Sequence, residues 1–327
     1  MHDANTCTNV IGFKETVRQK GVPTTVEAVQ VGTQTFLITG KFLKTAELKN
    51  FWAEEVGNPP ELIRQLKNGP VKVDILKFWQ RIPQTKPQYP YYREWIDLAA
   101  IPITTHKHWF EKQISQSARN KIRKAAKQGV EIQEEQLSDR MIQGITELYN
   151  DSPVRRGKRF WHYGKDFETV KKEVSEDLDI CRFVTAYWQG ELIGFIKFFI
   201  FDHYARTTLI LDKLSRREKS PMNGLISKVV EICAANNMPY LVYSTWRRGD
   251  HGQFQASNGF VRTPVPEYFV PLNIKGRMAL SLNLHRGIKG AIPEKVMIRL
   301  LNLRARWYAV RFGTNSFRVS KSSQKES

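Results

Sequence analysis

The fourteen residues from Ser152 to Lys165 hold five cations and three aromatic rings around a single histidine. Arg155, Arg156 and Arg159 can make ionic contacts to a polar ligand, and Trp161 and Tyr163 offer faces for stacking, so the stretch reads as a substrate-binding loop. His162 lies in its middle, where an imidazole of ordinary pKa, about 6.5, suits proton removal near neutrality. Glu147 and Tyr243 are the other proton-transfer candidates. The bland reading of the loop is a surface flap whose aromatics pin it to the body.

A second cluster, Arg216, Arg217, Lys219 and Ser220, immediately precedes Pro221, which fits the first position of a helix because its missing N–H is not needed there. A helix N-terminus flanked by cations, with Asn223 in its first turn, is an anion site and the expected place for a phosphate-bearing donor. Trp246, Arg247 and Arg248 follow the apolar run Tyr240 to Ser244. At the carboxyl end of a strand in an open α/β sheet such residues border the ligand crevice, although a turn whose Trp simply packs fits them too. Cys7, Cys181 and Cys233 have neither disulfide nor metal-ligand spacing, and no metal site is expected. The sequence carries no Ser/His/Asp or Cys/His arrangement with recognisable spacing and no nucleotide-binding glycine motif, which argues against covalent and nucleotide-hydrolysing chemistry.

Strands and helices to position these residues are legible along the chain. Cys181 to Trp188 and Glu191 to Phe201 form a hairpin across Gln189-Gly190, and Asp202-His203 turns into a third strand from Ala205 to Leu214. A helix runs from Pro221 to Asn236-Asn237, Tyr240 to Ser244 is a short buried strand, and Gln253 to Ser257 is a last short helix. Asn258-Gly259-Phe260 then leads to a final extended piece ending at Tyr268 to Leu272. Upstream, Thr104 to Val130 reads as one helix, capped by Thr104 or Thr105 and stopped at Gly129. Its Arg119, Arg123 and Lys127 fall four apart, a basic stripe that is either a solvated face or turned to a phosphate-bearing donor or RNA. Asp139 to Asn150 is an amphipathic helix ahead of the aromatic loop.

This order of a Gly-bearing strand, a strand, a loop, a helix, a strand and a late Asn-Gly-Phe resembles the GNAT acyltransferase fold. Through the basic stretch Arg119 to Val130 it is similar to the Fem-like branch, the aminoacyltransferases that build peptidoglycan cross-bridges. Phe78-Trp79-Gln80-Arg81, Tyr149 to Asp166 and Leu284-His285-Arg286-Gly287 also resemble segments of an uncharacterised bacterial family. The GNAT likeness covers roughly Trp109 to Leu272. It implies an acyl donor, either acyl-coenzyme A or aminoacyl-tRNA, and an acceptor site bordered by the 152–165 loop. The coenzyme A signature of that fold is Gln/Arg-x-x-Gly-x-Gly/Ala. Here its place is taken by Arg217 to Met222, in which the Arg is present, both small residues are absent and Pro221 removes an amide.

The chain has 327 residues, 41% of them hydrophobic, enough for two domains or one large one. The expected fold class is α/β: a GNAT-like mixed sheet flanked by helices, open to a tandem of two GNAT-like halves, with a basic helical tail. The expected divisions are an N-terminal α/β region over 1–103, an acyltransferase domain over 104–275 and the tail over 276–327. Within the first, Met1 to Pro23 is expected to be loosely held, and Val26 to Val31 pairs with Thr35 to Thr39. Thr45 caps a helix carrying Leu48, Phe51, Trp52 and Val56, a short helix follows Pro59, and Val71 to Trp79 and Glu94 to Ile101 are strands.

A formal charge of +19 predicts attraction to polyanions, whether nucleic acid, anionic lipid or a phosphate-rich cofactor. About half of it lies after Pro271, where twelve Lys or Arg face two Glu. The helix expected from Glu294 to Phe312 could lie on an anionic membrane or pack on the body. No apolar run reaches the roughly 18 residues of a membrane span, and Met1 to Glu15 lacks the plan of a signal peptide. Cytoplasmic residence, with peripheral contact at the inner face of the membrane, is expected. The resemblance implies transfer of an acyl or aminoacyl group to an amine or hydroxyl of a cell-envelope sugar or peptide. The alternative is a non-catalytic RNA-binding or membrane-surface protein on the same frame.

Overall fold

The protein is described by a computed structural model covering residues 10–19, 22–155, 157–247, 249–287 and single positions between 299 and 311. It divides into two compact units, residues 1–96 with 264–298 and residues 97–263 with 299–327.

In the first unit β1 (Val10–Gln19), β2 (Val22–Val31), β3 (Gln34–Thr39) and β4 (Thr45–Leu48) pair antiparallel in succession. The helix α1 (Pro59–Asn68) then crosses over, so that β5 (Ile75–Trp79) joins β4 in parallel. Asn58 caps α1 by accepting the Glu61 N–H at 3.3 Å, and Leu62 and Leu66 face a core with Phe36, Leu48, Leu76 and Phe78.

Two expectations are corrected here. Residues 45–48 are strand and not the start of a helix: Ala46 and Leu48 are buried in alternation with Thr45 and Glu47. Phe51 and Trp52, whose spacing suggested a helical face, instead meet Trp79 at centroid distances of 5.6 and 4.4 Å, and the Trp79 indole N–H donates to the Phe51 carbonyl at 3.0 Å. Residues 10–19, expected to be loosely held, are zipped to β2 from Val10↔Val31 to Gln19↔Val22. This edge strand buries few side chains, so it carries no apolar pattern to read.

The second unit begins within β6 (Tyr92–Pro102). Next come α2 (His106–His108), a wide π turn over Trp109–Gln113, α3 (Gln116–Lys127), β7 (Val130–Glu135) and α4 (Asp139–Asn150). A two-stranded flap, β8 (Val154–Arg155) and β9 (Lys158–Arg159), precedes α5 (Phe167–Val174), β10 (Cys181–Trp188), β11 (Glu191–Ile200) and β12 (Ala205–Asp212). The unit ends with α6 (Pro221–Ala235), β13 (Tyr240–Thr245), α7 (Asp250–Ser257) and the start of β14 (Val261–Pro271). Its strands lie in the order β6-β13-β12-β11-β10-β7, antiparallel except for β12 and β13. Gln189 (φ 50°) and Gly190 (φ 79°) make the β10–β11 turn in the left-handed region that tight hairpins favour. Leu225, Ile226, Val229, Val230 and Cys233 of α6 bury one side of the sheet with Val184, Ile193 and Ile196. Back in the first unit, β14 pairs antiparallel with β5 through Glu267↔Trp79, and α8 (Ile274–Ser281) follows it.

The single helix expected over 104–130 is broken at Ile114, whose φ −90°, ψ 154° is extended. The Trp109 side chain is fully buried and donates its indole N–H to the Asn258 carbonyl at 3.1 Å, while the Ser115 N–H donates to the Ser257 carbonyl at 3.0 Å. Ser115 then caps α3 by accepting from the Ala118 N–H at 3.1 Å. Arg119 closes the break by donating to the carbonyls of Phe110, Glu111 and Ile114 at 3.3, 3.1 and 2.8 Å. Gly129 does stop the helix, at φ 74°. The basic helix expected from Glu294 to Phe312 lies, single positions apart, outside the described residues. Among the described residues no helix is long and apolar enough to cross a membrane.

Candidate functional site

The two parallel strands of the second unit part company. The ladder between β12 and β13 runs only through Ala205↔Leu241 and Arg206↔Val242, with a further bond from the Thr207 hydroxyl to the Tyr243 carbonyl at 3.1 Å. Beyond it β12 continues to Asp212, paired with Gly194 of β11, and β13 continues to Thr245, paired with Leu98 of β6. A wedge therefore opens between their carboxyl ends. There the facing backbone groups have no ladder partner in each other and can bind an extended ligand.

The segment leaving β12 is held by carboxylates distant in sequence. Asp212 accepts from Arg217 Nε at 3.0 Å and engages Arg155, which also donates to the Asp212 carbonyl. Glu191 accepts from Lys213 at 2.8 Å and from Arg216 at 2.9 Å, and Glu147 lies 3.5 Å from the Lys213 ammonium. Asp151 accepts from the Leu214 N–H at 2.6 Å and the Ser215 hydroxyl at 2.7 Å. Arg216 and Lys219 cover the Trp188 ring at 5.2 and 4.2 Å. The fold thus brings Glu147, Arg155, Arg216, Arg217 and Lys219 together, joined by Asp151, Glu191, Asp212, Lys213 and Trp188, which sequence reasoning missed. Only the position of Asp212 at the carboxyl end of a strand could have signalled it.

At the start of α6, Ser220 sits in the left-handed region (φ 59°) and makes no side-chain cap. The first-turn amides of Met222 and Asn223 precede the first i→i−4 bond and have no acceptor within the helix. The Asn223 side chain, by contrast, is buried and donates to the Asn258 side-chain carbonyl at 2.9 Å. Its amide holds α6 to the Asn-Gly-Phe turn.

His162 is buried, and the premise of a near-neutral imidazole is corrected. Its ring lies 4.0 Å from Tyr149, 5.2 Å from Phe160 and 3.5 Å from Trp161. Burial, reinforced by the positive charges of Lys165 and Arg155, pushes its pKa down to about 3. Nδ1 accepts from the Lys165 ammonium at 3.3 Å, which places the ring proton on Nε2, and Lys165 is paired with Glu173 at 2.7 Å. The Tyr149 hydroxyl is buried with no hydrogen-bond partner among the described residues, and its pKa is pushed up by burial. Trp161 and Tyr163 are half exposed, Arg159 is exposed, and Arg156 lies outside the described residues. Arg155 stands 5.0 Å over the Phe160 ring and so links this loop to Asp212.

Across the wedge, the buried Tyr243 ring packs edge-on to His251 at 5.3 Å and to Phe260 at 5.4 Å. The Trp246 N–H donates to the Asp97 carbonyl at 2.7 Å. The Arg247 N–H donates to the side-chain carbonyl of the buried Gln255 at 2.9 Å, leaving its exposed side chain outward. Arg248 lies outside the described residues. His251, which sequence reasoning passed over, is the imidazole nearest Tyr243.

No family model matches the chain, and no curated protein matches it. Solved structures do. The C-terminal domain of a candidate lysylphosphatidylglycerol synthetase from Agrobacterium fabrum superposes with a TM-score of 0.52 at 14% identity, over 76% of this chain and 84% of that one. The chain shares the fold of that domain, a GNAT-like mixed sheet flanked by helices. FemX is similar with a TM-score of 0.49 at 9% identity, over 80% of this chain and 88% of its own. A tandem GNAT protein from the clavulanic acid biosynthesis pathway gives 0.41 at 11%, over 76% and 83%.

Proposed function

We propose that the chain transfers an acyl or aminoacyl group to an amine or hydroxyl of a cell-envelope sugar or peptide, with residues 104–275 as its catalytic domain. The observation that carries this reading is the wedge, whose open backbone edges lie beside the uncapped first turn of α6. The acceptor's nitrogen or oxygen attacks the donor's ester or thioester carbonyl, and backbone N–H groups of the wedge hold the oxyanion. The carbon–oxygen or carbon–sulfur bond then breaks, and the acceptor's proton ends on the leaving atom. Glu147 and Tyr243 are the proposed proton carriers. His162, neutral and buried, shapes the acceptor loop on which Arg155, Arg156, Arg159, Trp161 and Tyr163 bind substrate. Trp246, Arg247 and Arg248 line the far side.

Aminoacyl-tRNA is the favoured donor over acyl-coenzyme A. Pro221 removes an amide, and Arg216, Arg217 and Lys219 are engaged by Glu191, Asp212 and Trp188, so the loop offers a pyrophosphate little. Exposed Lys121, Lys124 and Lys127 on α3 can contact RNA phosphates without reading sequence. The same neutral His162 favours a second reading, a non-catalytic RNA-binding protein. Native mass spectrometry of the full chain with acetyl-coenzyme A, charged tRNA and uncharged tRNA, followed by assay of transfer, separates them. Preferential retention of a charged donor supports the transferase. Equal retention of charged and uncharged tRNA without transfer replaces it with the binder.

A further inference from the structure

We infer that the first unit carries a docking surface for an anionic lipid bilayer, built from the outer face of α8 and the segment around Phe42. The rotation of α8 is set by its packing. Gly276, Ala279 and Leu280 face inward, and a Cβ on Gly276 would come within 2.1 Å of the Asp74 carbonyl oxygen. Asn273 caps the helix by accepting the Gly276 N–H at 2.8 Å. Beyond its end, Glu94 accepts from His285 Nε2 at 2.7 Å and Arg286 Nε at 2.8 Å. With that face held inward, Ile274, Met278 and Leu282 fall four apart on the outside, 67%, 58% and 64% exposed. Phe42 is 88% exposed, while the adjacent Leu43 packs against the cluster of Ala279 and Leu280.

Helical geometry places Lys275 on one side of this apolar stripe and Arg277 on the other. Together with Lys41, Lys44 and Lys72 they line an open cleft of about 610 Å³ in which Asp74 is the sole acid. The Asp74 carboxylate is already engaged by the Lys44 N–H at 2.8 Å, Asn273 at 2.9 Å and Lys275 at 3.1 Å. Lys41, Lys72 and Arg277 enter no ion pair among the described residues. Large apolar side chains projecting between uncommitted cations match the interface of an anionic bilayer, where the stripe enters the headgroup region and the cations meet lipid phosphates. A free polyphosphate would use the cleft and leave the stripe in water. A second copy of the chain would set five cations against five. The surface is independent of the tail helix expected after Glu294, and of the transferase reading.

Flotation of the full chain with vesicles tests the inference, using equal parts phosphatidylglycerol and phosphatidylcholine against phosphatidylcholine alone. Binding to the anionic vesicles that weakens with added salt is expected, with little binding to the neutral ones. Phe42→Ser combined with Met278→Ser should lower partition about tenfold. Lys41→Gln and Lys72→Gln should each lower it about fivefold. All four side chains are exposed, so melting temperatures should stay at the wild-type value. Equal binding to both vesicle types, or unchanged partition of the Phe42/Met278 variant, overturns the inference. So does loss of all partition on Leu303→Ser with Trp307→Ser in the tail. Light scattering that finds a dimer which Met278→Ser dissociates, without vesicle binding, overturns it in favour of self-association.

Discussion

Two basic regions of the molecule differ in what their cations are committed to. Where β12 ends in the second unit, Arg155, Lys213, Arg216, Arg217 and Lys219 are met by Asp212, Glu191, Glu147 and the Trp188 ring. Around α8 in the first unit, Lys275 pairs with Asp74 and Lys44 with Glu27, while Lys41, Lys72 and Arg277 have no ion-pair partner among the described residues. Both regions look equally basic in the sequence. The first uses its charge to hold two loops and a strand end in place, whereas the second leaves charge, and apolar surface beside it, for something outside the chain. Net charge counts cations without saying which are already neutralised.

The comparison breaks most readily at Asp212. The carboxylate and Arg155 are both largely buried, so Asp212→Ala removes a desolvated acceptor from Arg155 and an ion pair from Arg217, and a loss of about 3 kcal/mol is expected in urea unfolding. A loss under a tenth of that would mean that the network is ornamental and the two regions are alike. A second, pH-dependent effect belongs to His162. Its folded pKa is depressed to about 3 and an unfolded imidazole titrates at about 6.5, so the unfolded state binds the extra proton between them. Its contribution is complete above about pH 6.5 and is lost as pH falls toward the folded pKa, at up to about 1.4 kcal/mol per unit. Unfolding of wild type and His162→Gln across that range should diverge in slope. Parallel slopes would show that the ring is hydrated and free to titrate.

Smaller effects sharpen the contrast. Arg119→Ala removes three bonds to carbonyls at the break before α3 and should cost about 1–2 kcal/mol by the same unfolding assay. Lys275→Ala, at the α8 cleft, should change stability by less than about 0.5 kcal/mol, because Lys275 is exposed and Asp74 keeps its bonds to Lys44 N–H and Asn273. A large loss there would place the α8 cations in the same structural class as those at Asp212.

Local signals read well. Helix starts were legible where a capping side chain or a proline precedes an apolar period: Pro59 for α1, and Thr105 before α2. The Gln189-Gly190 turn, the β10–β12 run and the Pro221 start of α6 were legible from turn residues, extended apolar runs and a proline at the first helical position. Residues 45–56 misled because their helical spacing was satisfied by aromatic packing on Trp79, a residue more than twenty positions away. The break at Ile114 was invisible because its cause, the contact of Trp109 and Ser115 with Ser257 and Asn258, is remote in sequence. At the candidate site, Arg155, Arg216, Arg217, Lys219 and Glu147 were found, and Lys213 and the carboxylates of Asp151, Glu191 and Asp212 were not.

The run of strands and helix from β10 to β13, its turns, and the excess of positive charge are properties of neighbouring residues, and the sequence by itself determined them. Whether β12 and β13 separate, whether His162 can hold a proton, and which arginines are spoken for are settled by groups that only folding brings together, as Arg155 and Asp212 are across 57 positions. Ladder pairing, desolvation and ion pairing act over a few ångströms of space, and along the chain nothing marks which distant residues will lie within that reach.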